Sequence, residues 1–275
     1  MTGARRARAG AVLGGVAAGA GVLVAQALWT TRRDLPSVTG IDASGAEGDS
    51  TGPTVVVAAL GDSTLTGPGL ADPGDIWVRQ AARAVAGHNN IVIRSFAVGG
   101  SRVADVARTQ IPAMGDLRPD VVVLAVGSND AIHHTNRRAV EREYAALLGE
   151  LTRRAPVVIA GGVGDLGAIA RVPWPLSVYV RAIGRRVNRV LRRVARSTPG
   201  VVYLDTSITD GAFRHGGSGL FTVDLFHPNE VGHGLWAELA APVLREAIGL
   251  RCAPPHPHAT EGEPCADRRA HAADR

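Results

Sequence analysis

Val55-Val56-Val57-Ala58-Ala59-Leu60 runs straight into Gly61-Asp62-Ser63-Thr64. An apolar run without alternation suits a strand buried on both faces, and the small and polar residues after it end the strand. Short β-branched runs of the same kind recur at 90–94, 121–126, 157–160 and 201–204. Segments with helical spacing lie between them, clearest at 77–86, 103–114, 138–151 and 178–194, with a last one from 229 to 248. Buried strands alternating with helices predict an α/β domain: a five-stranded parallel sheet inside a three-layer α/β/α sandwich. In such sheets ligands bind beyond the carboxyl ends of the strands, so those ends are where chemistry belongs.

Composition narrows the chemistry. The chain has 275 residues, 45% hydrophobic and 20% charged, enough apolar material for a proper core. All 30 of its basic residues are Arg. Without Lys there is no phosphate-loop lysine, no Schiff base and no lysine general base. The isoelectric point of 10.1 does not by itself imply nucleic acid. A nucleic-acid binder concentrates charge in one patch and interleaves stacking aromatics, and aromatics here are only 4%. No nucleic-acid partner is expected.

The strand ends carry a consistent set of residues. The first ends in Gly61-Asp62-Ser63-Thr64 and the second leads to Ala97-Val98-Gly99-Gly100-Ser101. The third ends in Gly127-Ser128-Asn129-Asp130, and Asp224-Leu225-Phe226-His227-Pro228 stands just before the last helix. A Ser, a His and an Asp on one rim suit nucleophilic acyl transfer. The hydroxyl is a poor nucleophile until a base takes its proton, and the base must be held in one tautomer by an acceptor. Asp224 and His227 can meet if the backbone turns between them, which the following Pro favours. Asp62 and Asp130 read as residues that hold the strand-end loops.

In order and placement these four segments resemble the four blocks of the SGNH hydrolase superfamily, the GDSL-type esterases and lipases, over about 55–248. The resemblance implies a flavodoxin-like fold and a serine esterase without metal or organic cofactor. It makes Ser63 the nucleophile, with Asp224 and His227 completing the triad. It makes Gly100, through its N–H, and Asn129, through its side chain, oxyanion donors beside the Ser63 N–H. Two positions depart from the pattern: Thr64 stands where Leu is frequent, and Ser95 stands near the second block where Asn is frequent. Implied partners are a small-molecule or glycan ester, acted on by a monomer. An O-acyltransferase or deacetylase of cell-envelope glycans, or a non-catalytic binding module, would use the same frame. The scarcity of aromatics argues against a long lipid tunnel.

The flanks divide the chain into a signal or anchor segment (1–33), a flexible linker (34–53), the esterase domain (54–250) and a flexible tail (251–275). Arg5, Arg6 and Arg8 precede an uncharged stretch, 9–31, closed by Arg32 and Arg33. It is long enough to cross a bilayer as one helix. Three readings stay open: an uncleaved anchor, a secretory signal cut near Ala25-Gln26-Ala27, and twin-arginine export. All three put the domain outside the cytoplasm, at the cell membrane or secreted. In the tail, Cys252 and Cys265 could close a disulfide loop, while Cys252, His256, His258 and Cys265 match no standard zinc spacing.

Other letters mislead. Gly48-Asp49-Ser50-Thr51-Gly52 spells a nucleophile elbow but lacks a strand before it and a helix after it. Gly162 to Gly167 spells a dinucleotide fingerprint, but Pro173 and Pro175 spoil the helix it needs. That segment reads as a loop over the site, with Trp174 either a substrate contact or a core residue. Arg181, Arg185, Arg189 and Arg193 recur every four residues, as on a solvated helix face, and such a stripe could also rest on anionic lipid. His133, His134 and His233 read as surface or packing residues.

Overall fold

The computed structural model describes residues 18–250. Six strands form one sheet: β1 (Gly45–Gly48), β2 (Thr54–Gly61), β3 (Asn90–Ser95), β4 (Val121–Ala125), β5 (Val157–Gly161) and β6 (Val201–Leu204), in the order β1-β3-β2-β4-β5-β6. β2 to β6 are parallel, and every residue of β4 and β5 is buried. That double burial is why these strands read as unbroken apolar runs.

Helices cover both faces. α1 spans 18–32. α2 is Trp77–Val85, and α3 is a stretch in which Val103–Asp105, a π turn at Val106–Gln110 and Ile111–Ala113 run on without a break. α4 is Ser128–Ile132, α5 Arg137–Arg154, α6 Leu176–Ser197, α7 Asp210–Gly216 and α8 Glu230–Leu250. α2 and α8 pack on one face, around Val57, Ile93, Ala81 and Leu244. α3, α5 and α6 pack on the other, around Leu60, Leu124, Tyr144 and Leu191.

The sheet therefore has six strands and not the expected five, and the sixth comes from the stretch expected to be a linker. β1 pairs antiparallel with β3, with Ala46 opposite Val92. Its sequence, Gly-Ala-Glu-Gly, has no apolar run, because only Glu47 of its four residues is buried. What fixes it is charge. The Glu47 carboxylate, 9% exposed, accepts from Arg79 Nε at 2.8 Å and from Arg83 Nε and Nη2 at 3.0 Å, both on α2. A short strand pinned by charge also closes the β3 edge against further pairing.

The approach to β1 is bonded to the domain as well. Ile41 N donates to Thr66 O at 2.7 Å, Gly69 N to Thr39 O at 3.3 Å and Ser95 N to Ser44 Oγ at 3.0 Å. Ser95, the departure in the second block, is thus tied down by this segment. α1 meets the domain along a narrow stripe. Gln26 Nε2 donates to Trp174 O at 2.7 Å and its Oε1 accepts from Leu176 N at 3.0 Å. Among the described residues no helix is long and apolar enough to cross a membrane. The first part of the uncharged stretch, 9–17, and the cysteine-bearing tail lie outside the described residues.

Because Glu47 holds two guanidinium groups to the sheet edge, Glu47→Ala should lower stability by about 2–3 kcal/mol. That is less than the ~3–5 kcal/mol of a fully buried pair, since Arg83 is half exposed. Urea unfolding at neutral pH measures it.

Candidate active site

β2 ends at Gly61, the last residue of its parallel pairing with β4, opposite Ala125. Gly61 has φ +148°, and a Cβ there would lie 1.9 Å from the Ala125 carbonyl oxygen, so only glycine fits. Asp62 N then donates to that same oxygen at 3.0 Å. The Asp62 side chain caps the next turn, Ser63–Leu65, through Oδ1 and Thr64 N at 3.0 Å. Burial, opposed by the bonds from Thr64, pushes the Asp62 carboxyl up to about 6. Ser63 is left half-buried at the strand end, facing the cleft.

A residue that sequence reasoning missed secures this corner. Gln110, buried in the π turn of α3, accepts from Gly61 N at 2.8 Å and donates to Gly61 O at 2.8 Å. Its Nε2 also donates to Ser101 Oγ at 3.1 Å. One amide thus satisfies both peptide groups of the glycine before the Asp-Ser pair and reaches the second block. Asn129 closes the circuit: its Nδ2 donates to Ser101 O at 3.1 Å and lies 3.5 Å from Asp62 Oδ2. Asn129 is placed by Gly127, whose φ of +122° opens α4, and by the neighbouring Asp130. Asp130 is fully buried and accepts from Val103 N at 2.9 Å; burial raises its carboxyl pKa. Gly100, at φ +80°, is exposed on the rim, and its N–H makes no hydrogen bond among the described residues.

Asp224 and His227 meet as their spacing requires. Leu225 turns the backbone at φ +55°, and Asp224 Oδ2 lies 2.7 Å from His227 Nδ1. Oδ1 accepts from Thr222 Oγ1 at 2.8 Å, Phe226 N at 2.8 Å and His227 N at 3.0 Å. Burial works to raise the Asp224 pKa. The N–H groups of His227 and Phe226, the imidazole and the Thr222 hydroxyl outweigh it and hold the carboxylate below its usual range. Ser63 and His227 face the same space, with no hydrogen bond joining them among the described residues.

Two cavities flank Ser63, and both are also lined by Asn129 and His227. One holds about 100 Å³ and is walled by Trp77, Phe213, Phe221, Phe226 and Trp236. The chain has four Trp and four Phe, so half of its Trp and three of its four Phe gather here. A scarce residue type has thus been concentrated in one place. The second cavity is an open groove bounded by Val38 to Asp42, by Gly99 and by Gly100. The supposed linker therefore also forms one wall of the site. Trp174 lines neither cavity. It is 77% exposed, so it is neither a pocket residue nor a core residue.

Beside the aromatic cavity, Asp165 accepts from Arg181 Nε at 2.8 Å and Arg214 Nη1 at 2.9 Å. Arg181 thus leaves the solvated stripe it was assigned to, and Arg193 pairs with Glu141 at 2.8 Å. Asp205 is engaged by Arg192 at 2.8 Å. Among the described residues no group of His, Cys, Asp and Glu could hold a metal ion.

The sequence matches the GDSL-like lipase/acylhydrolase family over residues 59–235. A GDSL-like esterase of Mycobacterium tuberculosis is 28% identical over 193 residues, 69% of this chain and 61% of that protein. The chain thus spans about three fifths of the length of that relative. Among solved structures, a psychrotrophic esterase from a Pseudoalteromonas species superposes with TM-score 0.55 at 17% identity, covering 70% of this chain and 98% of that one. An extracellular lipase from Streptomyces rimosus superposes with TM-score 0.53 at 20% identity, covering 70% and 99%. At these identities the structural likeness shows the fold.

His233 supports the aromatic wall from behind. It is fully buried, and its Nδ1 accepts from Trp77 N at 3.2 Å, capping α2, where Ile76 offers no side-chain cap. Its ring lies edge-on to Trp236 at 5.6 Å. Burial, then the nearby His227, depresses its pKa to about 3. The unfolded chain therefore takes up a proton near pH 6.5 that the folded one refuses. The stability tied to neutral His233 is complete above pH 6.5 and is lost as pH falls toward 3. Between pH 7 and 5 this amounts to about 2 kcal/mol. His233→Asn, whose amide can still accept from Trp77 N, should show that much less loss of unfolding free energy over the same pH interval in urea melts.

Proposed function

Because the chain belongs to the GDSL-like lipase/acylhydrolase family, we propose that it is a serine esterase whose acyl-enzyme forms on Ser63. The observation that carries this reading is the Asp224–His227 contact at 2.7 Å, on a cavity shared with Ser63 and Asn129. His227 Nε2 takes the Ser63 proton as Oγ attacks the ester carbonyl. Asp224 keeps the proton on Nδ1 and stabilises the imidazolium. The oxyanion is met by the N–H groups of Ser63 and Gly100 and by Asn129 Nδ2. Ser101 O and the buried Asp62 keep the Asn129 amide aimed before substrate arrives. The tetrahedral adduct collapses, the alkoxide leaves with the proton from His227, and water repeats the sequence on the acyl-Ser63.

The aromatic cavity suits the acyl group and the open groove suits the alcohol. The polar rim of that groove, with Thr66, Ser95 and Asp42, favours a hydroxyl-rich alcohol such as a glycan, where deacetylation or acyl transfer would use the same residues. The uncharged stretch at 9–31 supports a site of action outside the cytoplasm, tethered or released.

A fluorophosphonate should label the folded protein at Ser63 alone, and Ser63→Ala should take no label; a labelled Ser63→Ala would move the nucleophile elsewhere. Asn129→Ala should lower kcat by roughly 100- to 1,000-fold with little change in KM, since the oxyanion exists only after attack. Its loss of stability should stay near 1 kcal/mol. A near-normal kcat for p-nitrophenyl esters would remove Asn129 from the site. Asp224→Asn should keep the fold and lose about 10⁴-fold in kcat, because Nδ1 no longer meets an acceptor of fixed orientation.

A further inference from the structure

α1 is a helix in an unusual position. Along 18–31 it carries no charge, and only the stripe through Leu23, Gln26 and Thr30 turns toward the domain. Val22, Val24, Leu28 and Trp29 face outward, Trp29 at 52% exposure. The Gln26 bonds fix α1 across the start of α6, where Trp174, Val178 and Tyr179 are also exposed. Two elements thus present their apolar residues to the outside side by side, where a water-soluble domain would turn them in.

α6 continues that surface with charge. Its 22 residues contain no Asp or Glu. Starting from Val178, Arg185, Arg189 and Arg196 fall within about 40° of one line at ~100° per residue, and the line extends about 27 Å at ~1.5 Å per residue. All three are exposed, as is Arg186 beside them, and none of the four has an ion-pair partner among the described residues. The acids that ion-pair with α6 engage other arginines of the same helix, Asp165 with Arg181, Asp205 with Arg192 and Glu141 with Arg193, and Asp210 feels Arg185 only through its charge, without an ion pair.

We propose that α1, Trp174 and the exposed face of α6 form one surface that lies on an anionic lipid bilayer. The apolar end enters the interface, where Trp and Tyr rings sit well. The arginines run flat along the phosphate level. Charge complementarity selects an anionic sheet as the occupant. In the sequence, α1 is preceded by further uncharged residues and, before them, by Arg5, Arg6 and Arg8, so an apolar run and a cluster of arginines also adjoin each other there. A nucleic acid would match the arginines and leave the apolar end unexplained; a neutral bilayer would do the reverse. The surface does not depend on what Ser63 does.

The test is co-sedimentation of the full chain with vesicles of phosphatidylcholine alone or with 30% phosphatidylglycerol, at ~0.1 M salt. The wild type should partition at least tenfold more strongly to the anionic vesicles, and the difference should fade as salt rises. Arg185→Gln/Arg189→Gln/Arg196→Gln should weaken binding to anionic vesicles by about 30- to 100-fold, at roughly a three- to fivefold step per arginine. Binding to neutral vesicles, melting temperature and p-nitrophenyl acetate turnover should not change. Trp174→Ser/Val178→Ser should weaken binding to both compositions. Equal binding of the wild type to both vesicles, no binding to either, or an unaffected arginine variant would each overturn the proposal. So would tighter binding to a DNA duplex at the same salt.

Discussion

At the last pair of β2 and β4, the backbone of Gly61 turns so that a side chain there would run into the Ala125 carbonyl. The candidate site hangs on that contact. The close approach lets Asp62 N reach the Ala125 carbonyl, and Gln110 then takes up both polar groups of the Gly61 peptide. From Gln110 the bonding passes to Ser101 and on to Asn129, so the first three sequence blocks are held by one buried network. Such a network is stiff when fully satisfied and costly when broken. Asp224 and His227 stand outside it, held by their own turn, and meet the rest only across the cavity. The proposed nucleophile and oxyanion donors are thus joined by one network, while the proposed base, His227, comes from a separate element.

Much of this was legible in the sequence, for identifiable reasons. β4 and β5 are buried on both faces, so their residues could only be an apolar run. Ser63, Asn129 and His227 sit at strand or loop ends, where small and polar residues interrupt those runs, so their order along the chain survived folding as an order along the rim. The Asp224–His227 pair was legible because its contact is local. What stayed hidden was set by distant partners. β1 owes its place to Arg79 and Arg83, more than thirty residues away, and four residues with two glycines give no periodicity to read. Gln110 looks like any polar residue in a helical run until the π turn carries it inward.

The aromatic wall was hidden for a related reason. Trp77 begins α2, Phe213 lies in α7, Phe221 and Phe226 flank the turn to the acid, and Trp236 lies in α8. No spacing links them, and a percentage over the whole chain averages their convergence away. Trp174 is the opposite case: a lone aromatic in a loop invites a role at the site, yet it is exposed and lines neither cavity. His233 had no partner at a telling distance in sequence because its partner is the first N–H of a helix 156 residues earlier.

The segment leading into β1 carries a consequence of its own. It is bonded at Thr39, Ile41 and Ser44, and α1 is bonded to the start of α6, so little slack remains between them. A loose tether would let the domain swing and sample esters throughout a hemisphere. Here the opening beside Ser63 is held at one height and one tilt relative to α1. If α1 lies on a bilayer as proposed, the search for substrate becomes two-dimensional, a fixed-focus arrangement in which esters too near to or too far from the plane of α1 are out of reach however well they fit the pocket.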